Sequence, residues 1–184
     1  MSKMHQVLLC VWWDWQGIIY YELLPSSQTL YSALCCQQLD RLKAALMQKR
    51  SSLINRGRIV FHQDNARRHT SLTTRSKFQA LGWEVRIHPL YSTDLAPSNY
   101  DLFPYMANAL NGEKLASREA CENWVSELFA HSDAAFYERG ISKLASRWQQ
   151  VYEQNFLLNL SYSAAILKLT LTISLCCVQI STFH

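Results

Sequence analysis

The sequence is poor in charge: of its 184 residues 17% are Asp, Glu, Lys or Arg, against 49% hydrophobic. That balance excludes a chain held open by its own charge. No unit repeats, which excludes solenoids and propellers, and no stretch is of low complexity. No two cysteines have CxxC spacing. Cys10, Cys35, Cys36, Cys121, Cys176 and Cys177 stand as two adjacent pairs and two singles. This pattern matches no zinc motif and no disulfide framework. The thiols therefore read as reduced and packed like small hydrophobes. A basic-then-apolar leader is also lacking: the run Val7–Trp13 is too short for a signal segment and ends at Asp14.

What is present is enough for one domain with a sizeable core, including 6 Trp, 9 Tyr and 7 Phe. A net charge of +4 is mildly basic and compatible with a nucleic-acid partner. Val7–Trp13 and Ile18–Leu24 are β-prone runs that flank Gly17, which predicts a hairpin. Leu30, Leu34, Leu39, Leu42 and Leu46 form one stripe, which predicts a helix over about residues 29–50. Ile59–Phe61 is short and wholly apolar, as in a buried parallel strand. A helix over His69–Leu81 closes at Gly82, and Trp83–Ile87 alternates like a half-buried strand. Further helices are expected from Ser98 or Asn99 to Leu110, bent near Pro104, and from a Ser117 cap to about Ala130. Asp133 caps the last one, where Tyr137, Ile141, Leu144, Trp148 and Val151 share a face. The order is that of an α/β fold.

Three segments carry a family resemblance: VLLCVWWDWQGIIYYELL (Val7–Leu24), FHQDNARRHT (Phe61–Thr70) and HPLYSTDLAPSNYDLF (His88–Phe103). With REACENWVSELFA and the late RWQ, their order and spacing resemble the mariner (Tc1/mariner) transposases over about Val7–Gln154. The resemblance implies an RNase H-like fold and a nucleus-based cut-and-paste activity on DNA. In that chemistry three acids hold two Mg²⁺ (or Mn²⁺) ions, one lowering the pKa of the attacking hydroxyl and one neutralising the leaving oxygen.

Carried onto this sequence, Asp64 matches the second acid. The family's interval of 34 intervening residues then leads to Asn99 at the third position. An amide oxygen can ligate a cation but brings no charge, so ion binding is expected to be weakened. The first acid lies in a GDEKW-like segment of the family, and no such segment occurs here. Asp14 is not its substitute and reads as a turn residue bonding local backbone. The resemblance thus implies a C-terminal part of the catalytic domain, residues 1–154, without the first sheet strand or the end-reading domains. An unpaired sheet edge is expected where that strand belongs. The expected activity is a transposase-type endonuclease that is catalytically dead, or else a non-enzymatic module that binds DNA or dimerises with itself or a full-length relative.

Weaker candidates surround the site. Arg58, Arg67 and Arg68, with Arg75 and Lys77, form either a basic face for DNA phosphates or a solvated helix face. His62 and His69 flank Asp64; the matching family positions suggest site support, and the alternative is a packing or hydrogen-bonding role. Asp94 reads as loop-ordering. Asp101, two residues beyond Asn99, points elsewhere on a helix.

From about Gln154 onward Lys168 is the last Asp, Glu, Lys or Arg. Residues 155–184 no longer resemble the family. They read first as a non-homologous apolar tail from a decayed or alternative reading frame, second as a β-prone ordered segment. A membrane anchor is least favoured, since a central Lys costs roughly 2.5–3.5 kcal/mol.

Overall fold

The apolar run that opens the sequence folds as β1 (His5–Asp14), and β2 (Gly17–Pro25) returns antiparallel to it. Trp15 and Gln16 form the turn. Asp14 Oδ1 accepts from the backbone N–H groups of Gln16 and Gly17 at 2.9 and 3.1 Å. This is the local turn role expected of it. The computed structural model describes residues 5–25, 31–55, 59–63, 67–87, 95–113, 115–154 and 172–182.

The leucine stripe becomes α1 (Ser32–Lys49), with Leu34, Leu39, Leu42 and Leu46 buried. A short α2 (Ser51–Asn55) follows, which the periodicity did not announce. All four residues of β3 (Val60–Gln63) are buried, and β3 pairs in parallel with β4 (Glu84–Ile87), as a wholly apolar short run suggests. The expected helix over 69–81 is split into α3 (Arg67–Thr70) and α4 (Leu72–Leu81). Ser71 between them has extended backbone, and its Oγ accepts from the Thr74 N–H at 3.2 Å. A capping serine inside a helical pattern looks like any polar surface residue, so the break is invisible to periodicity. Gly82 closes α4 in the left-handed region at φ 69°.

The bend expected near Pro104 is a π-helical turn, Ser98–Leu102, running into α5 (Phe103–Leu110). Next come α6 (Arg118–His131), capped by Ser117 Oγ, and α7 (Ala134–Gln154), entered through Asp133 Oδ1.

β1 sets the layers. Its odd-numbered residues Val7, Leu9, Val11 and Trp13 pack with Leu102, Met106, Val125 and Ile141 of the second half of the chain. Its even-numbered Cys10 and Trp12 pack on the other face with Leu39, Leu42, Leu46, Phe61 and Phe78. Helices therefore cover both faces, which explains why β1 is an unbroken apolar run rather than an alternating one.

The sheet order is β2-β1-β5-β3-β4. β5 (Thr172–Thr182) comes from the C-terminal tail. It runs antiparallel to β1 from His5↔Thr182 to Trp13↔Ser174, and parallel to β3 from Val60↔Thr172 to His62↔Ser174. The unpaired edge expected on the sheet is thus not found: β5 covers it on β1 and on β3 at once. Its uncharged composition, with Thr, Ile and Val at five of 11 positions, suits a strand with a neighbour on each side. Over 172–182 the β-prone reading of the tail is the one realised. Among the described residues no helix is long and apolar enough to cross a membrane.

Candidate active site

Three elements converge where the resemblance places the metal ligands: the end of β3, the π-turn and α7. Asp64, Arg58 and Asp94 lie outside the described residues, and Asp64 directly follows β3 in sequence. Asn99 stands on the π-turn, half-buried, its backbone N–H donating to the Ala96 carbonyl at 2.9 Å. Trp13 holds that turn to the sheet: its indole Nε1–H donates to Ser98 Oγ at 2.9 Å. Trp13 and Ser98 are both fully buried, so the bond is made away from competing water.

The turn is also clasped by α7. Tyr100 donates its hydroxyl to the Gly140 carbonyl at 2.7 Å, and the Arg147 guanidinium lies 4.0 Å over the Tyr100 ring. Burial pushes the Tyr100 phenol well above its ordinary range; the neighbouring Asp101 charge adds to this and Arg147 opposes it. Asp101 Oδ1 pairs with Lys143 Nζ at 2.7 Å. Its carboxylate is therefore committed to α7, in line with the divergence expected of positions two apart.

The same helix reaches β3. Trp148 meets the buried His62 edge-on, ring centroids 6.5 Å apart. Residues 140, 143, 147 and 148 thus bridge the π-turn and β3 with one helical face. The structure separates the two histidines expected to flank the site. His62 faces α7, whereas His69 lies on the opposite side of the sheet beside Gln63, Trp12 and Phe78, where Gln63 Nε2 donates to its carbonyl. Of the two, His62 is the one that faces the clasp.

Of the basic candidates, Arg67 and Arg68 belong to α3, Arg75 is exposed on α4, and Lys77 is paired with Asp40 of α1 at 2.6 Å. Sequence reading missed Trp13, Lys143 and Arg147 as positioning residues. The late RWQ segment, which includes Arg147 and Trp148, was a signal of kinship without a role.

Among the described residues no group of three or more His, Cys, Asp or Glu side chains could hold a metal ion. On the side away from β4, β3 is flanked by β5, whose sequence TISLCCVQIST contains no carboxylate.

Comparison with known proteins agrees with this frame. The family described as Transposase (partial DDE domain) matches residues 2–56. The Mariner Mos1 transposase of Drosophila mauritiana is 45% identical over 146 residues, 79% of this chain and 42% of that protein. The Homo sapiens histone-lysine N-methyltransferase SETMAR is 36% identical over 151 residues, 82% of this chain and 22% of that protein. The chain thus spans less than half the length of either curated relative. The crystal structure of the catalytic domain of Mos1 mariner transposase superposes with a TM-score of 0.78 at 42% identity, covering 84% of this chain and 79% of that one. With its RNase H-like sheet and flanking helices, the chain belongs to the mariner family of transposases, in the catalytic domain.

Proposed function

We propose that the chain is a mariner transposase-derived domain that no longer cleaves and joins DNA. The observation that carries this reading is the pairing of Asn99, at the family's third acid position on the π-turn, with a carboxylate-free β5 beside β3. Among residues 1–184, Asp64 would then be the one family acid. A single carboxylate and an amide fall short of the charge that two Mg²⁺ ions need, so cation binding would be weak. The Mos1 catalytic domain has been solved with Mn and with Mg, which supports a residual divalent site here. Activity is tested by incubating the purified chain with transposon-end duplex and Mg²⁺ or Mn²⁺. The expected result is intact DNA; nicking above a metal-free control overturns the reading.

A non-enzymatic role is the second reading, supported by the net charge of +4 and by Mos1 structures in a paired-end complex with a transposon end. Here the chain would hold DNA without sequence preference through Arg58, Arg67 and Arg68, in the nucleus, alone or as a dimer with itself or a full-length relative. Counterion release then requires affinity to fall steeply as salt rises. A flat salt response removes the DNA branch, and failure to co-purify with a full-length relative or a second copy removes the dimer branch.

A further inference from the structure

We infer that the gap between β1 and β3 is a strand-accepting slot, and that the C-terminal strand β5 fills it in cis as the donor that joins two otherwise separate half-sheets. Without β5 the hydrogen-bonded pairs are β1–β2 and β3–β4, with nothing between them. Neither half can stand with that edge bare. β1 is buried on both faces from Leu9 to Trp13, and β3 is buried throughout. Backbone groups of such strands have no water to turn to, so the facing edges of β1 and β3 need a partner strand.

The slot specifies its occupant. It takes a strand antiparallel to β1 over nine residue pairs and parallel to β3 over three. It lies between two core clusters, Leu9, Val11 and Trp13 in one and Cys10, Trp12 and Phe61 in the other, so a largely apolar strand suits it. Thr172–Thr182 has no Asp, Glu, Lys, Arg or His, and is rich in Thr, Ile and Val. A strand bringing a carboxylate into this slot has to displace β5. The proposed loss of activity uses the same placement of β5, but the test below reads strand pairing and not DNA cleavage, so failure of one is distinguishable from failure of the other.

The register supplies the test. Cys10 is directly opposite Cys177. Antiparallel partners have Cα atoms about 4.5–5.5 Å apart, inside the roughly 4.4–6.8 Å that a disulfide spans. The full chain is oxidised mildly with diamide and its linkages are mapped by mass spectrometry without reduction. The expected product is a Cys10–Cys177 bond within one chain, lost in Cys177→Ser with no Cys10–Cys176 bond in its place. Absence of that bond, with Cys176 and Cys177 alkylated as fast as in denaturant, overturns the inference. The same bond between two chains overturns the in-cis arrangement. Val178→Pro, opposite Leu9, provides a second reading on the full chain. It is expected to raise amide exchange along β1 and lower Tm; unchanged exchange and Tm overturn the proposal.

Discussion

At the residue scale, two polar side chains differ in what they do for the fold. Asp14 is fully buried and saturated: besides its two turn amides, Oδ2 accepts from Arg50 Nε at 2.9 Å and Oδ1 from a second guanidinium nitrogen at 3.2 Å. Removing one partner of a buried pair leaves the other charge uncompensated, at roughly 3–5 kcal/mol. Asp14→Ala is expected to cost about 3 kcal/mol in urea unfolding, within the cited range. Asp14→Asn keeps an acceptor for the turn amides and is expected to cost less. Equal costs for the two would show that the turn bonds contribute nothing. Asn99 makes the opposite case under the proposed function, where its residue type would matter to a ligand. Asn99→Asp returns a negative charge to the π-turn and is expected to tighten Mn²⁺ binding by at least tenfold, about 1.4 kcal/mol, by calorimetry. No gain would mean that the position does not face a cation. The turn role of Asp14 was legible in the sequence, because turn chemistry is a local signal. Arg50 as the partner of Asp14 was not, since 36 residues separate them.

At the element scale, α7 decides how firmly the π-turn is held. Gly140 looks like a weak point by helix propensity, where Gly costs about 1 kcal/mol relative to Ala. The packing gives it a reason. A Cβ there would come within 3.0 Å of the Trp13 ring and 3.1 Å of Asp101 Oδ2. Neither neighbour can withdraw easily, because Trp13 is bonded to Ser98 and Asp101 to Lys143. Overpacking costs about 1–3 kcal/mol, more than the propensity gain. Gly140→Ala is therefore expected to lower stability and speed amide exchange in the π-turn; a rise in Tm would show that the contact gives way freely. Element types and their order could be read from apolar periodicity, including α7 and its stripe. The π-turn could not, because it arises from tertiary clasping by Trp13 and Tyr100, and the split at Ser71 depends on a single cap.

At the scale of the whole molecule, the α/β plan was legible but the sheet order was not, because β5 pairs with residues more than a hundred positions away. Both cores share β1, so the domain should unfold as a unit, and groups buried in either core should report on all of it. Cys121 on α6 is such a group. Burial pushes its thiol from 9.0 to about 11, and the nearby Glu122 charge adds to the rise. The folded state thus holds the proton more tightly than the unfolded chain. That contribution is fully present below about pH 9 and is lost as pH rises from about 9 to about 11. Its size is on the order of 2 kcal/mol at most. Cys121→Ala deletes the titrating group while leaving a small cavity, so the variant should be less stable at pH 8. Its deficit should shrink towards pH 11. Tyr20, raised to about 12 chiefly by burial and then by Glu22, weakens wild type and variant alike and cancels in the difference. Urea unfolding of both proteins in reducing buffer from pH 8 to 11 measures that difference. A deficit constant with pH would mean that the Cys121 thiol titrates alike in the folded and unfolded chain, and that the α6 layer admits water.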